Sequence, residues 1–214
     1  MSIDNILRTA LSSKAVGPKP SYASVHVIKC IELIRDLGPI GRLRLSKELK
    51  LGEGSMKTLL GKLKELGLII TERQGCALTN KGIEVGLWLK SKIPSRTYLG
   101  KTVLAIGDHA YALLIGSIDT KKLKTGLEQR DAALLVGALG ASTLIVRNNQ
   151  IILLPDLNVN EKYPNEAERL HVLLNPHDGD IIIIGSGDNP LTAEFGALSA
   201  FITLIKNPEI FRVA

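Results

Sequence analysis

Between residues 41 and 81 the spacing of apolar positions changes from a helical period to a strand period. Met56, Leu59, Leu60, Leu63 and Leu66 fall at offsets of 0, 3, 4, 7 and 10, which lines one face of a helix over 53–66. Gly52 stands where the N-cap belongs, Glu53 puts a negative charge in the first turn, and Gly67 follows as C-cap. Leu43, Leu45 and Leu49 predict a shorter helix over 42–50, joined to the longer one by the tight turn Leu51-Gly52-Glu53-Gly54. Beyond Gly67 the period falls to two. Residues 68–73 read as a strand, Gln74-Gly75 as a turn and 76–79 as the returning strand, a hairpin over 68–79.

The flanks agree with a small helical domain over 21–94. Val27, Ile28, Ile31, Ile34 and Leu37 predict a helix that starts at Ser21 or Ser24 and stops at Gly38-Pro39. Ile83, Val85, Leu87, Trp88 and Leu89 belong to a helix over 81–92, available to the core or to a dimer contact. Residues 1–20 form a tail or short helix around Ile3, Ile6, Leu7 and Leu11 and end in Gly17-Pro18-Lys19-Pro20. Ile93-Pro94-Ser95 marks the boundary.

The second domain, over 97–214, opens with a hairpin of strands at 102–106 and 110–115 around Gly107-Asp108. Lys121, Lys122 and Lys124 make a basic loop before a helix over 126–139. A second hairpin pairs 143–147 with 150–154 through Asn148-Asn149, residues that tolerate positive φ. A helix over 165–174, a buried strand over 180–184 and an apolar helix over 191–205 complete the order ββαββαβα, an α+β domain with helices on one face of its sheet. A short echo links residues 113–119 with 182–188, each preceding an apolar helix.

Charge divides along the same line. The chain has 214 residues and a net charge of +6. Residues 1–98 carry 17 Lys and Arg against 8 Asp and Glu, whereas 99–214 carry 10 against 13. The basic half is the candidate for a polyanion, against the plainer alternative of a solvated lysine-rich surface. No apolar run approaches the roughly 20 residues that span a bilayer, and residues 1–14 lack an export pattern, so the expected location is cytoplasmic with no membrane partner. Two cysteines, Cys30 and Cys76, make no CxxC pair and no disulfide framework.

Helix, tight turn, helix, hairpin and helix, in that order, is the arrangement of a winged helix-turn-helix. The run from Gly52 to Leu60, then Lys64-Glu65-Leu66-Gly67-Leu68-Ile69 and Leu78-Thr79-Asn80-Lys81-Gly82, resembles winged-helix transcription regulators of prokaryotes. With the second half included, the chain resembles an uncharacterised archaeal family of predicted regulators. The resemblance implies binding of double-stranded DNA through the helix over 53–66, laid in the major groove, with the hairpin over 68–79 as wing. On the polar face of that helix stand Ser55, Lys57, Thr58, Gly61, Lys62 and Lys64, with Arg73 and Gln74 at the hairpin tip. The lysines and Arg73 suit phosphates, while Ser55 and Thr58 suit phosphates or base edges. Gly61 suits close backbone approach, either to DNA or to a neighbouring helix. The helix has no arginine, the usual reader of guanine, so binding mainly through the DNA backbone is expected. A homodimer on two half-sites follows from the same resemblance.

The second domain offers one candidate for a small anionic effector. Gly185, Ser186, Gly187, Asp188 and Asn189 read as a glycine-rich turn at a helix N-terminus, where free N–H groups favour anions. The spacing lacks both GxGxxG and the P-loop lysine, and the plainer reading is a sharp turn capped by Asp188 or Asn189 with Pro190 at the first helical position. His26, His109, His171 and His177, with Asp178 and Asp180 nearby, match no common zinc spacing, and no cofactor or metal is expected. No nucleophile stands beside a base, so nothing in the sequence points to an enzyme. The sequence reads as a DNA-binding transcription regulator whose C-terminal domain senses an effector or dimerises. The alternatives are a small-molecule-binding protein or enzyme with a winged-helix appendage, and a protein-interaction adaptor; RNA is a further possible target of the winged helix.

Overall fold

The computed structural model describes residues 2–12, 21–116, 123 and 125–206. The proline-rich breaker at 17–20, the lysines at 121, 122 and 124, and part of the 113–119 echo lie outside them. The chain divides into two compact units after Lys90.

The first unit holds α1 (Ile3–Leu11), α2 (Ser24–Leu37), α3 (Arg42–Glu48), α4 (Glu53–Glu65), β1 (Ile69–Glu72), β2 (Gly75–Leu78) and most of α5 (Asn80–Lys92). The apolar stripe of α4 is inside, with Met56, Leu59, Leu60 and Leu63 buried. Ile6, Leu7 and Ala10 of α1 are also buried, and α1 packs against α2 and α4. Burial of two such aliphatic side chains contributes roughly 3–6 kcal/mol. The buried Tyr22 hydroxyl donates to the Ala10 carbonyl at 2.8 Å and so ties α1 to the residues just before α2. α1 is therefore a short helix that belongs to this core, the second of the two expectations for this stretch.

The chain leaves α4 through Leu66 and Gly67, whose φ is +70°. Thr79 Oγ1 donates to the Gly67 carbonyl at 2.6 Å and Lys81 Nζ to the Leu66 carbonyl at 2.7 Å, so the last carbonyls of the helix are not left bare. β1 and β2 pair antiparallel from Ile69↔Leu78 to Glu72↔Gly75. Ile40 adds a bridge on the other side of β2, exchanging both backbone hydrogen bonds with Cys76 at 3.0 and 2.9 Å. That bridge fixes the hairpin to the start of α3.

The second unit contains β3 (Ser95–Gly100), β4 (His109–Ile115), α6 (Leu127–Leu134), β5 (Gly140–Arg147), β6 (Gln150–Leu153), β7 (Leu157–Asn158), α7 (Val159–Lys162), α8 (Pro164–Leu174), β8 (Ile181–Gly187) and α9 (Pro190–Lys206). The sheet order is β3-β4-β8-β5-β6-β7, with every neighbouring pair antiparallel. The α+β class and the sequence of main elements stand, with a two-residue strand and a one-turn helix added.

Four expectations are corrected. The first strand is 95–100 and not 102–106. Residues 101–108 form a loop that buries Leu104 in the core, its carbonyl accepting from the Ser142 hydroxyl, and leaves Val103 and Ile106 exposed, so their apolar character did not signal a strand. The helix expected over 126–139 stops at Leu134, followed by a turn in which Gly137 has φ +81°. The strand expected to end at 184 continues through Gly187.

The fourth correction concerns layers. Ile182 and Ile184 join Ala112, Leu144 and Val146 in a core closed by Ala167, Leu170 and Leu174 of α8. Residues of opposite parity on β8 face α9, which packs on β8, β4 and β5, with α6 beside it. Helices therefore cover both faces of the sheet. The run Ile181-Ile182-Ile183-Ile184 is continuous because alternate side chains enter two cores. Among the described residues no helix is long and apolar enough to cross a membrane.

Candidate functional site

A groove of about 480 Å³ runs across the first unit between the start of α3, the outer face of α4 and the β1–β2 hairpin. Lys57, Gly61 and Lys64 of α4 line one wall, at i, i+4 and i+7 on a single helical stripe. Arg42 and Leu43 of α3 stand opposite, and Ile69, Thr71 and Cys76 come from the hairpin. Lys57, Lys64 and Arg73 are exposed, and none is held in an ion pair among the described residues. Arg42 reaches Glu53 at 3.8 Å, a contact between side chains 47% and 65% exposed that binds neither firmly.

Gly61 is exposed in the middle of α4, and a Cβ built there meets nothing within 4 Å. A glycine at such a position costs about 1 kcal/mol relative to alanine. No described residue packs against this position, so packing among the described residues is not the reason for it.

The other residues of the polar face divide. Thr58 is exposed, its hydroxyl donating to the Gly54 carbonyl at 3.0 Å and still able to accept. Ser55 is half-buried and shares a 2.5 Å hydrogen bond with the Ser21 hydroxyl, which turns it toward the N-terminal helices. The Lys62 side chain is only 15% exposed and pairs with Glu65 at 3.5 Å, so it is not a free phosphate ligand. Gln74 and Arg73 are exposed at the hairpin tip. Arg42 and Leu43 were missed by reading α4 alone; the Ile40–Cys76 bridge, which is not visible in the sequence, brings them opposite it. Cys76 lies in the groove wall, but burial pushes its thiol up from the ordinary value and makes it a poor nucleophile.

Of the stretch 185–189, Gly185 to Gly187 are the end of the central strand and not part of a turn. Gly185 lies between Tyr111 and Ala141, and Ser186 between Ala110 and Gly140, as paired residues of the central strand. The Ser186 carbonyl accepts from Leu139 N–H at 2.8 Å. The glycines are required by α9: a Cβ at Gly185 would lie 2.2 Å from the Ala193 carbonyl oxygen and the Ala197 nitrogen, and one at Gly187 would lie 2.6 Å from Ala193 N. Asn189 caps α9, its Oδ1 accepting from Thr192 N–H at 3.0 Å, with Pro190 the first helical residue. Asn189→Ala is expected to lower unfolding stability by about 1 kcal/mol in a denaturant titration, the ordinary value of a lost cap; no change would remove this role.

The histidines are likewise tied to local structure. His26 Nδ1 accepts from Ala23 N–H at 2.9 Å at the start of α2, and burial pushes its pKa below the usual value. His109, expected in a turn, begins β4 and meets the Tyr98 hydroxyl at 2.5 Å. Asp178 accepts from the Asn148 and Asn149 N–H groups at the β5–β6 turn, and Asp180 from His177 N–H. Among the described residues no group of three His, Cys, Asp or Glu is placed to hold a metal.

Comparison with known proteins follows the same division. The family described as "PH0730-like, N-terminal domain" matches residues 26–84, and a domain of unknown function, DUF4443, matches residues 106–204. No curated protein matches the chain. Among solved structures, the chain is similar to the hypothetical protein PH0730 from Pyrococcus horikoshii OT3, with 30% sequence identity, a TM-score of 0.67, and coverage of 88% of this chain and 97% of that one. The likeness extends over nearly the whole of that archaeal protein, and this chain belongs to its family.

Proposed function

We propose that the protein is a DNA-binding transcription regulator. In this reading the first unit is a winged helix-turn-helix: α4 enters the major groove, β1 and β2 form the wing, and α3 lies along the DNA backbone. The observation that carries the reading is a groove lined by Lys57 and Lys64, with Arg73 exposed at the hairpin tip and none of the three held in an ion pair among the described residues, in the basic half of the chain. Arg42 joins them from α3 and gives four candidate phosphate contacts per protomer. The second unit serves dimerisation or effector sensing, and a homodimer would engage two half-sites about 34 Å apart. The competing reading, a small-molecule site at 185–189, is weakened because Gly185 to Gly187 pair as strand and not as a free turn.

The test is fluorescence anisotropy of labelled duplex DNA over a range of salt concentrations. Four phosphate contacts give a slope of log K on log salt of about −3.6 for each protomer engaged. Absence of binding at low salt, or a slope near zero, would overturn the proposal. Sedimentation of the free protein would decide whether a dimer exists before DNA is added.

A further inference from the structure

The groove between α4 and the hairpin has two kinds of wall, and the difference says which part of a nucleic acid it fits. Its rim is cationic, with Arg42 on one side and Lys57 and Lys64 on the other. Its floor and far wall carry no charge: Gly61, Leu60, Leu43, Ile69, Thr71 and Cys76. Base-edge readout needs donors and acceptors arranged in a plane, such as the Arg fork or the Asn and Gln amides. None of these lines the groove except Arg42, whose guanidinium already meets Glu53. A sugar–phosphate strand has the complementary distribution, with charge on its phosphates and carbon-rich faces on its deoxyribose rings.

Gly61 strengthens this match. It lies between the two lysines of the stripe, where any side chain would project into the groove, and no described residue fills the space. Leu43, on the facing wall, is 59% exposed and offers a carbon-rich surface there.

We propose that this groove is a subsite for one backbone strand of duplex DNA. Phosphates meet Arg42, Lys57 and Lys64, and a deoxyribose is seated over Gly61 against Leu43. This rests on the DNA-binding reading above and narrows it: α4 presents its Lys57–Gly61–Lys64 stripe to the backbone, and the contact there is indifferent to base sequence.

The discriminating variants are uncharged, Gly61→Ala and Gly61→Leu, tested with a labelled duplex of about 24 base pairs, a little over two helical turns. Both should fold, and Gly61→Ala should melt at a higher temperature because alanine favours a helix over glycine. Binding should change in the opposite direction. Gly61→Leu is expected to weaken affinity at least 10-fold and to flatten the salt slope, although no charge has been removed, because the strand is held away from the lysines. Gly61→Ala should fall between it and the unaltered protein. The ratio of affinities for unrelated duplex sequences should be the same in Gly61→Leu as in the unaltered protein.

Binding of Gly61→Leu with unchanged affinity and slope, while the unaltered protein binds DNA, would overturn the subsite and leave the broader reading intact. A spread of 100-fold among duplex sequences that disappears in Gly61→Leu would also overturn it, by showing base readout at this position. Tighter binding of an RNA strand than of duplex DNA would overturn the choice of occupant. No DNA binding by the unaltered protein would remove both proposals together.

Discussion

Replacing Lys57, Lys64 and Arg73 together by alanine is expected to lower affinity for duplex DNA on the order of 100-fold near 0.1 M salt and to make the salt slope shallower by about 3. Each lost phosphate contact returns about one counterion to the DNA, so the slope counts contacts independently of the affinity itself. All three side chains are exposed and none is held in an ion pair among the described residues, so removing them should leave the fold intact. Lys62→Ala supplies the contrast. Its side chain is 15% exposed and paired with Glu65, and it should leave the slope nearly unchanged. Equal losses from Lys62→Ala and from Lys57→Ala would mean that binding follows net charge and not this surface.

Gly185→Val is expected to have the largest effect on folding. The first atom it adds would stand 2.2 Å from two backbone atoms of α9, the Ala193 carbonyl oxygen and the Ala197 nitrogen, and 2.9 Å from a third, the Ala197 Cα. Backbone cannot swing aside as a flexible side chain can, so α9 must lift from the strand it covers. That separation would expose buried side chains of α9, Leu198, Phe201 and Ile202 among them. Overpacking alone costs typically 1–3 kcal/mol, and loss of several buried side chains at roughly 1.5–3 kcal/mol each approaches the whole 5–15 kcal/mol of a domain's stability. The variant should lose the cooperative melting of the second unit, followed by circular dichroism, while the first unit's hairpin and helices remain a separate core. A melting temperature within a few degrees of the unaltered protein would show that α9 is not seated as described.

The two predictions separate residues that look alike on paper. Gly61 and Gly185 both interrupt runs where another residue would favour the local structure. A side chain at the first would meet no described residue, whereas the second lies under a helix. Lys57 and Lys62 stand five positions apart on one helix, and their sequence context predicts a common role. The actual α4 places Lys57 outward and lays Lys62 along the protein with its amine near Glu65. Ser55 shows the same divergence, its hydroxyl engaged by Ser21 from another segment.

Local periodicity by itself determined much of the chain. The α4 stripe, its glycine boundaries, the hairpin after it and the Asn148-Asn149 turn are set by interactions between residues a few positions apart, and the sequence contains both partners of each. The charge asymmetry also survives folding, since no fold can bury most of 17 cations. What lay outside the sequence depends on partners distant along the chain. The groove opposite α4 exists because Ile40 pairs with Cys76 and carries Arg42 and Leu43 into place. The glycines at 185 and 187 look like a ligand turn until α9 is packed on them, when they become the only residues thin enough for the strand to continue. Whether a polar or flexible residue faces solvent, a helix or a groove is settled by which surfaces meet, and only the tertiary structure brings those surfaces together.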